Sequence, residues 1–197
     1  MPARLKLVLV GTFMCALAAI GGVWIAALSA PGQQAPRSGW AGAIRPPGAT
    51  VPAFSLRDQE GKRITPPTGP AVYTFLYSTC DDTCPLQVQQ IRGALDDLGR
   101  DVPVVAFSVD PANDTPRRAR RFVLEQSMTG RMHFLLGSRA ELERAWSAFG
   151  VQPQEDGLEH SAHIVLADAD GRQRIGFPVG GLTVDGLRRD LARLLSE

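Results

Sequence analysis

The chain has 197 residues, 44% of them hydrophobic and 21% charged, with a net charge of +1. That composition fits one globular domain with an additional segment, and it argues against nucleic acid as the main partner, which calls for a strong basic excess. Three cysteines are too few for a disulfide-stapled scaffold, so two of them are expected to be functional rather than structural.

Arg4 and Lys6 precede an uncharged run of 24 residues, Leu7 to Ala30. Roughly 20 apolar residues cross a hydrocarbon core, so residues 1–30 read as a single transmembrane anchor. The basic flank would stay in the cytoplasm, which places the domain on the periplasmic or extracytoplasmic side of the inner membrane. The rival reading is a secretory signal, for which Ala27-Leu28-Ser29-Ala30 offers small residues at a cleavage site. Cys15, inside the run, reads as a small hydrophobe. Residues 31–51 contain Pro31, Pro36, Pro46 and Pro47 with four glycines and little to bury, and read as an extended tether. The folded domain is expected over 52–197.

Phe54-Ser55-Leu56 and Arg63-Ile64-Thr65 flank a turn sequence at Asp58–Gly61, which predicts a small hairpin. Ala71 to Tyr77 is a continuous apolar strand, as expected where both faces are covered. After the loop Ser78 to Thr83, Pro85 suits a first helical turn. Leu86, Val88, Ile91, Ala94, Leu95 and Leu98 then recur at helical spacing up to Gly99. Val102 to Val109 predicts a second strand. Thr115 and Pro116 predict an N-cap and first turn, and the helix behind them carries Arg117, Arg118, Arg120 and Arg121 outward. Met132 to Leu136 is a third strand. Ser138 and Glu141 form a capping box for a helix ended by Gly150. Ile164 to Ala167 is a fourth strand, Asp168–Gly171 a turn, Arg172 to Phe177 an antiparallel return, and Thr183 to Leu195 the last helix. Strands alternating with helices give an α/β fold with a central sheet covered on both faces. With the closing hairpin and helix, this is a thioredoxin-like three-layer arrangement on a mixed sheet, with the N-terminal hairpin added.

The chemistry gathers at Cys80-Asp81-Asp82-Thr83-Cys84-Pro85, at the carboxyl end of the first buried strand, where open α/β sheets place their sites. A Cys84 at a helix start would have its thiolate stabilised by the dipole and free N–H groups. Two cysteines four apart across a first turn can converge on one ion or bond to each other, the bland alternative being a fixed structural disulfide. Asp81 and Asp82 would oppose thiolate formation; the other readings are that they help a cation approach or that they are simply solvated loop residues. A metal site needs a third ligand. His133 opens a strand and reads as a surface or packing residue. His163 lies within a strand, its side chain committed to one face. His160 precedes that strand and is free to reach the cysteine loop, so it is preferred. Two thiolates and an imidazole suit copper(I) and zinc; a structural zinc site has four protein ligands, and without an evident fourth, copper is the better assignment.

Tyr77-Ser78-Thr79-Cys80-Asp81-Asp82-Thr83-Cys84-Pro85, then Ser108-Val109-Asp110-Pro111 with Asp114-Thr115-Pro116, then His160-Ser161 before a strand ending in Asp170-Gly171, resemble the Sco/SenC family. The resemblance covers about Val51 to Glu197. It implies a membrane-anchored, thioredoxin-like copper protein that helps assemble the copper A centre of cytochrome c oxidase. Cys80, Cys84 and His160 would be the copper ligands for Cu(I) or Cu(II), and the two cysteines a redox-active pair. Family members usually have Pro at the position of Asp81 and Asp at that of Glu159; neither departure changes a ligand. The implied role is a metallochaperone rather than an enzyme, with the copper A subunit as partner alongside copper donors or thiol-disulfide partners. The alternative is a thiol-disulfide oxidoreductase that keeps the target's copper-ligand cysteines reduced, which needs only Cys80 and Cys84. A peroxiredoxin-like peroxidase fits poorly, because Phe75 to Ser78 lack the proline such a site needs. The arginines from Arg117 to Arg121 are a solvated helix face or a docking surface.

Overall fold

The computed structural model describes residues 39–153 and 163–197; the apolar run at 1–30 and His160 lie outside them. Among the described residues no helix is long and apolar enough to cross a membrane. In chain order the elements are β1 (Ala43–Ile44), β2 (Leu56–Arg57), β3 (Arg63–Ile64), β4 (Ala71–Leu76), α1 (Thr83–Leu98), β5 (Val104–Ser108), α2 (Pro116–Glu125), β6 (Met132–Leu135), α3 (Arg139–Phe149), β7 (His163–Ala167), β8 (Gln173–Pro178) and α4 (Val184–Leu194).

Six strands form one mixed sheet in the order β1-β8-β7-β4-β5-β6, and β2 and β3 pair separately as the expected hairpin. β4, β5 and β6 run parallel, whereas β7 lies antiparallel to β4 and β8 antiparallel to β7. All six residues of β4 and all five of β5 are buried, which is why their sequences show no alternation. One face of the sheet packs against α1, α2 and α4 through Val88, Ile91, Phe122, Leu187 and Leu191. The other packs against α3 and the hairpin, with Tyr73, Phe75, Phe107 and Phe149 as a group of interacting rings.

Local signals account for the helix ends. The Thr115 hydroxyl accepts the Arg118 N–H ahead of Pro116, and both halves of the Ser138–Glu141 capping box are present. Gly99 and Gly150 close α1 and α3 in the left-handed conformation that glycine adopts without steric cost.

The tether expected at 31–51 is corrected over its second half. Trp40 is only 7% exposed and belongs to the core beside α4, with the Arg193 guanidinium 4.1 Å from its ring centroid. The Ala41 and Gly42 N–H groups donate to the buried Asp190 carboxylate at 2.9–3.1 Å. Ala43 and Ile44 pair with Gly176 and Ile175 of β8. A side chain at Gly42 would meet Ile175 at 2.4 Å, so that glycine reflects close approach of two strands rather than flexibility. Arg45 donates to the Gln173 side chain and the Phe149 carbonyl. Each of these partners lies more than a hundred residues later, out of reach of local pattern. Residues 39–51 are therefore part of the domain.

Candidate metal centre

β4 delivers the chain to the edge of the sheet and the cysteine loop follows. The Cys80 N–H donates to the Tyr77 carbonyl at 3.3 Å. Asp82 occupies the N-cap of α1, yet its side chain caps nothing. The Cys84 N–H donates instead to Cys80 Sγ at 3.3 Å, so a sulfur satisfies one of the helix's free N–H groups and sits at its positive end. Cys80 is 8% exposed, Cys84 is fully buried, and both are free thiols. Asp81 and Asp82 are exposed.

This geometry corrects which sulfur carries the charge. The Cys84 thiol donates to Cys80, and that bond is the main reason the Cys80 thiol is lowered to about 5. Burial opposes the shift, while the Cys84 and Asp82 N–H groups and the Tyr77 hydroxyl reinforce it. The same thiol–thiol bond, with burial, drives Cys84 far above the ordinary thiol range. Sequence logic gave the thiolate to Cys84 because it stands at the helix start. Lying inside the first turn, Cys84 buries its sulfur in the core and turns its N–H toward Cys80.

Two buried side chains to which the sequence reading gave no role brace the surroundings of the pair. Asp114 accepts the Ser78 N–H at 2.7 Å and the hydroxyls of Ser78 and Ser108, tying the cysteine loop to the end of β5. Burial raises its carboxyl above the ordinary range, and the three hydrogen bonds work against that. Its signals in the sequence were its place just before the Thr115-Pro116 helix start and its presence in the quoted family motif, neither of which showed its partners. Gln87, one turn past Cys84, is completely buried; its amide nitrogen donates to Thr74 Oγ1 at 2.5 Å and to the His163 carbonyl at 3.3 Å. Leu86, assigned to the buried stripe of this helix, is 52% exposed. The stripe is rotated, running through Cys84, Gln87, Val88, Ile91, Ala94 and Leu95.

The histidines separate clearly. His133 Nδ1 hydrogen-bonds the buried Asp58 carboxylate at 2.8 Å. His163 packs against Phe75 and hydrogen-bonds the Phe149 carbonyl at 3.3 Å, so it faces the α3 side while the cysteines lie in the core on the α1 side. His160 belongs to the stretch outside the described residues. Because β4 and β7 are antiparallel, with Thr74 opposite Ile164, β7 starts at the same edge of the sheet where β4 ends. Among the described residues no group of three His, Cys, Asp or Glu side chains could hold a metal. What they provide is a pair of buried sulfurs, of which Cys80, receiving hydrogen bonds from the Cys84 thiol and N–H, is the more acidic. That half-set suits a soft ion and needs a donor from elsewhere to complete it.

A dithiol at the amino end of a helix, directly after the central strand of a mixed sheet layered by helices, defines a thioredoxin-like thiol protein. The family model described as SCO1/SenC matches residues 42–196, and the chain belongs to that family. The match begins well inside the stretch expected to be a tether. Arabidopsis thaliana ScoI, solved with copper bound, is 25% identical with a TM-score of 0.66, the match covering 75% of this chain and 99% of that one. Bradyrhizobium japonicum ScoI, also solved with copper bound, is 31% identical with a TM-score of 0.63, covering 75% of this chain and 100% of that one. The SCO1 protein homolog of Bacillus subtilis is 26% identical over 135 residues, which is 62% of this chain and 70% of the relative. Other curated relatives are longer, and the chain spans 35% to 51% of their length.

Proposed function

We propose that this protein is a copper metallochaperone that holds one copper ion through Cys80, Cys84 and His160 and passes it to the copper A subunit of cytochrome c oxidase. The observation that carries the reading is the Cys80–Cys84 pair: two buried, reduced sulfurs sharing one helix terminus, with Cys80 lowered to about 5. Membership of a family with copper-bound ScoI structures supports it. The Cys80 thiolate is ready to ligate at neutral pH, whereas the Cys84 proton must leave as the second sulfur binds. Uptake therefore releases about one proton, and copper stays bound only while the pair is reduced. Transfer is an exchange of ligands in which the acceptor's donors replace these one at a time. The run at 1–30 anchors the protein in the inner membrane with the domain on the extracytoplasmic side; mapping the mature N-terminus tests that placement, and cleavage after Ala30 would rule out the anchor. The ligand set is tested by Cu(I) titration of the reduced protein against a competing chelator, with Cys80→Ser, Cys84→Ser and His160→Ala in turn. Each replacement should weaken binding sharply in a folded domain, and unchanged affinity in His160→Ala would overturn the assignment.

The low Cys80 value favours a second activity of the same pair. Its thiolate attacks a disulfide in the target and releases one target thiolate; Cys84 then loses its proton and attacks the mixed disulfide. The target ends as a dithiol and the protein as a Cys80–Cys84 disulfide. The metal-free, reduced protein mixed with an oxidised copper A subunit tests it. Exchange should persist in His160→Ala, and absence of exchange in the wild type removes this role.

A further inference from the structure

α2 carries four arginines and one glutamate, a net +3 in a chain of net +1, so all the other residues together are net −2. Arg117, Arg118, Arg120 and Arg121 are exposed, while Ala119, Phe122 and Val123 face the core. At about 3.6 residues per turn, Leu124 falls in line with Arg117 and Arg121 at the centre of the outer face. It is 67% exposed, the most exposed large apolar side chain among the described residues. Of the four arginines only Arg121 has a carboxylate partner among the described residues, Glu125 at 2.7 Å. Arg118 and Arg120 donate to the Asn113 and Gln59 carbonyls.

This charge pattern works against the helix that bears it. Like charges three or four residues apart repel, and three pairs among these arginines have that spacing. Cations suit the carboxyl end of a helix, yet the first turn of α2 holds no acid and its last turn no base, with Arg117 and Arg118 at the amino end. Helix stability therefore does not account for the cluster. Its place in the fold does. β4 and β5 are parallel, so α1 and α2, which follow them, begin at the same edge of the sheet. Asp114, two residues before Pro116, accepts the N–H of Ser78, two residues before Cys80. At that edge Leu86, two residues past Cys84, is 52% exposed, and Asp81 and Asp82 are exposed between the cysteines. A uniformly anionic bilayer surface would be repelled by those two acids. A folded protein can match both signs, which orients it and speeds encounter.

We propose that the outer face of α2, together with the cysteine loop, docks the protein that takes copper from Cys80 and Cys84. The matching face of that protein carries carboxylates opposite Arg117 and Arg121, an apolar contact for Leu124, and a cation opposite Asp81 and Asp82. The inference rests on the copper-transfer reading above.

Rapid mixing of the Cu(I)-loaded full chain, in neutral detergent, with the reduced, metal-free copper A subunit tests it. Arg117→Glu combined with Arg121→Gln should lower the second-order rate constant of transfer at least about 10-fold at roughly 10 mM salt. The gap should close near 1 M salt, where the screening length falls to about 3 Å. Affinity for Cu(I) against a chelator should not change, because neither arginine touches the cysteines. An anion in the first turn suits the helix dipole, so the variant should fold. Leu124→Ala should slow transfer at both salt concentrations, since an apolar contact is not screened. Equal rates for wild type and the double variant at low salt would overturn the proposal, as would a slower rate accompanied by lost Cu(I) affinity. An arginine dependence seen only in phosphatidylglycerol vesicles, and absent in neutral detergent, would assign the face to lipid headgroups and overturn it too. If the wild type transfers no copper at all, the transfer reading fails and the docking surface falls with it; transfer that ignores the arginines sinks the docking surface alone.

Discussion

Raising the pH of the metal-free, reduced protein from about 5 towards 9 should stabilise it, and the cysteine pair is the cause. Cys80 is lowered to about 5 in the fold, whereas an unfolded cysteine titrates near 8.5. Between those values the folded chain has released a proton that the unfolded chain retains, so stability rises with pH by up to about 1.4 kcal/mol per unit. The contribution is complete above the unfolded value and is lost as the pH falls through about 5. Cys84 acts in the opposite sense. Its folded value lies far above the ordinary range, so beyond roughly 8.5 the unfolded chain ionises a thiol that the folded chain keeps protonated, and stability falls again. The predicted profile has its maximum near the ordinary thiol value. Urea unfolding at a series of pH values, with reductant present, should show wild type gaining about 2.5 kcal/mol over Cys80→Ser between pH 6 and 8; taking the difference cancels the histidines. Ultraviolet thiolate absorbance should show one equivalent appearing near 5, and Cys84→Ala should move that midpoint upward by removing the main stabilising donor. If both thiols ionise together near the ordinary value, or if the wild-type and Cys80→Ser slopes coincide, the assignment of the thiolate to Cys80 is wrong.

A chain beginning at Pro52 should be close to unfolded while one beginning at Gly39 is stable. The shorter chain loses the buried Trp40, a side chain whose truncation costs about 3–5 kcal/mol. It also strips the buried Asp190 carboxylate of three backbone contacts, against a total stability of about 5–15 kcal/mol; urea midpoints within error of each other would refute this. Gly42→Ala should cost about 1–3 kcal/mol, because its methyl group would overlap Ile175, and thermal unfolding reads it directly. Asp114→Asn should destabilise by on the order of 1–3 kcal/mol, since an amide NH2 would confront donors on Ser78 or Ser108. It should also speed alkylation of Cys80 by loosening the loop, and an unchanged alkylation rate would deny Asp114 its positioning role.

Elements whose signals are local were legible from the chain alone. The Ser138–Glu141 box, the Thr115-Pro116 start and the unbroken apolar runs of β4 and β5 each draw on neighbours within a few residues, and each formed as expected. β1 was not legible, because two residues and a lone tryptophan in a Pro/Gly-rich stretch acquire meaning only against β8 and α4. The site divides the same way. The spacing of Cys80 and Cys84 exposed the dithiol, but the direction of one N–H decided which sulfur ionises, and that depends on where the first helical turn begins. The roles of Asp114 and Gln87 escaped because buried polar side chains look like surface residues until their partners are known. Leu86 erred in the other direction, as an apolar residue read into a stripe whose true register includes a glutamine.

The antiparallel pairing of β4 with β7 has a consequence for how the protein is made. Cys80 and Cys84 are near neighbours in sequence, so a newly synthesised chain carries both sulfurs close together before any tertiary structure exists. The strand that follows His160 reaches the edge beside them only once β7 has docked on β4, a distant pairing of the kind that closes late in folding. On the proposed ligand set, a nascent chain thus offers two ligands and a finished one three. On that set, full affinity for the cargo appears only after the sheet is complete, and immature chains leave the metal to those that have folded.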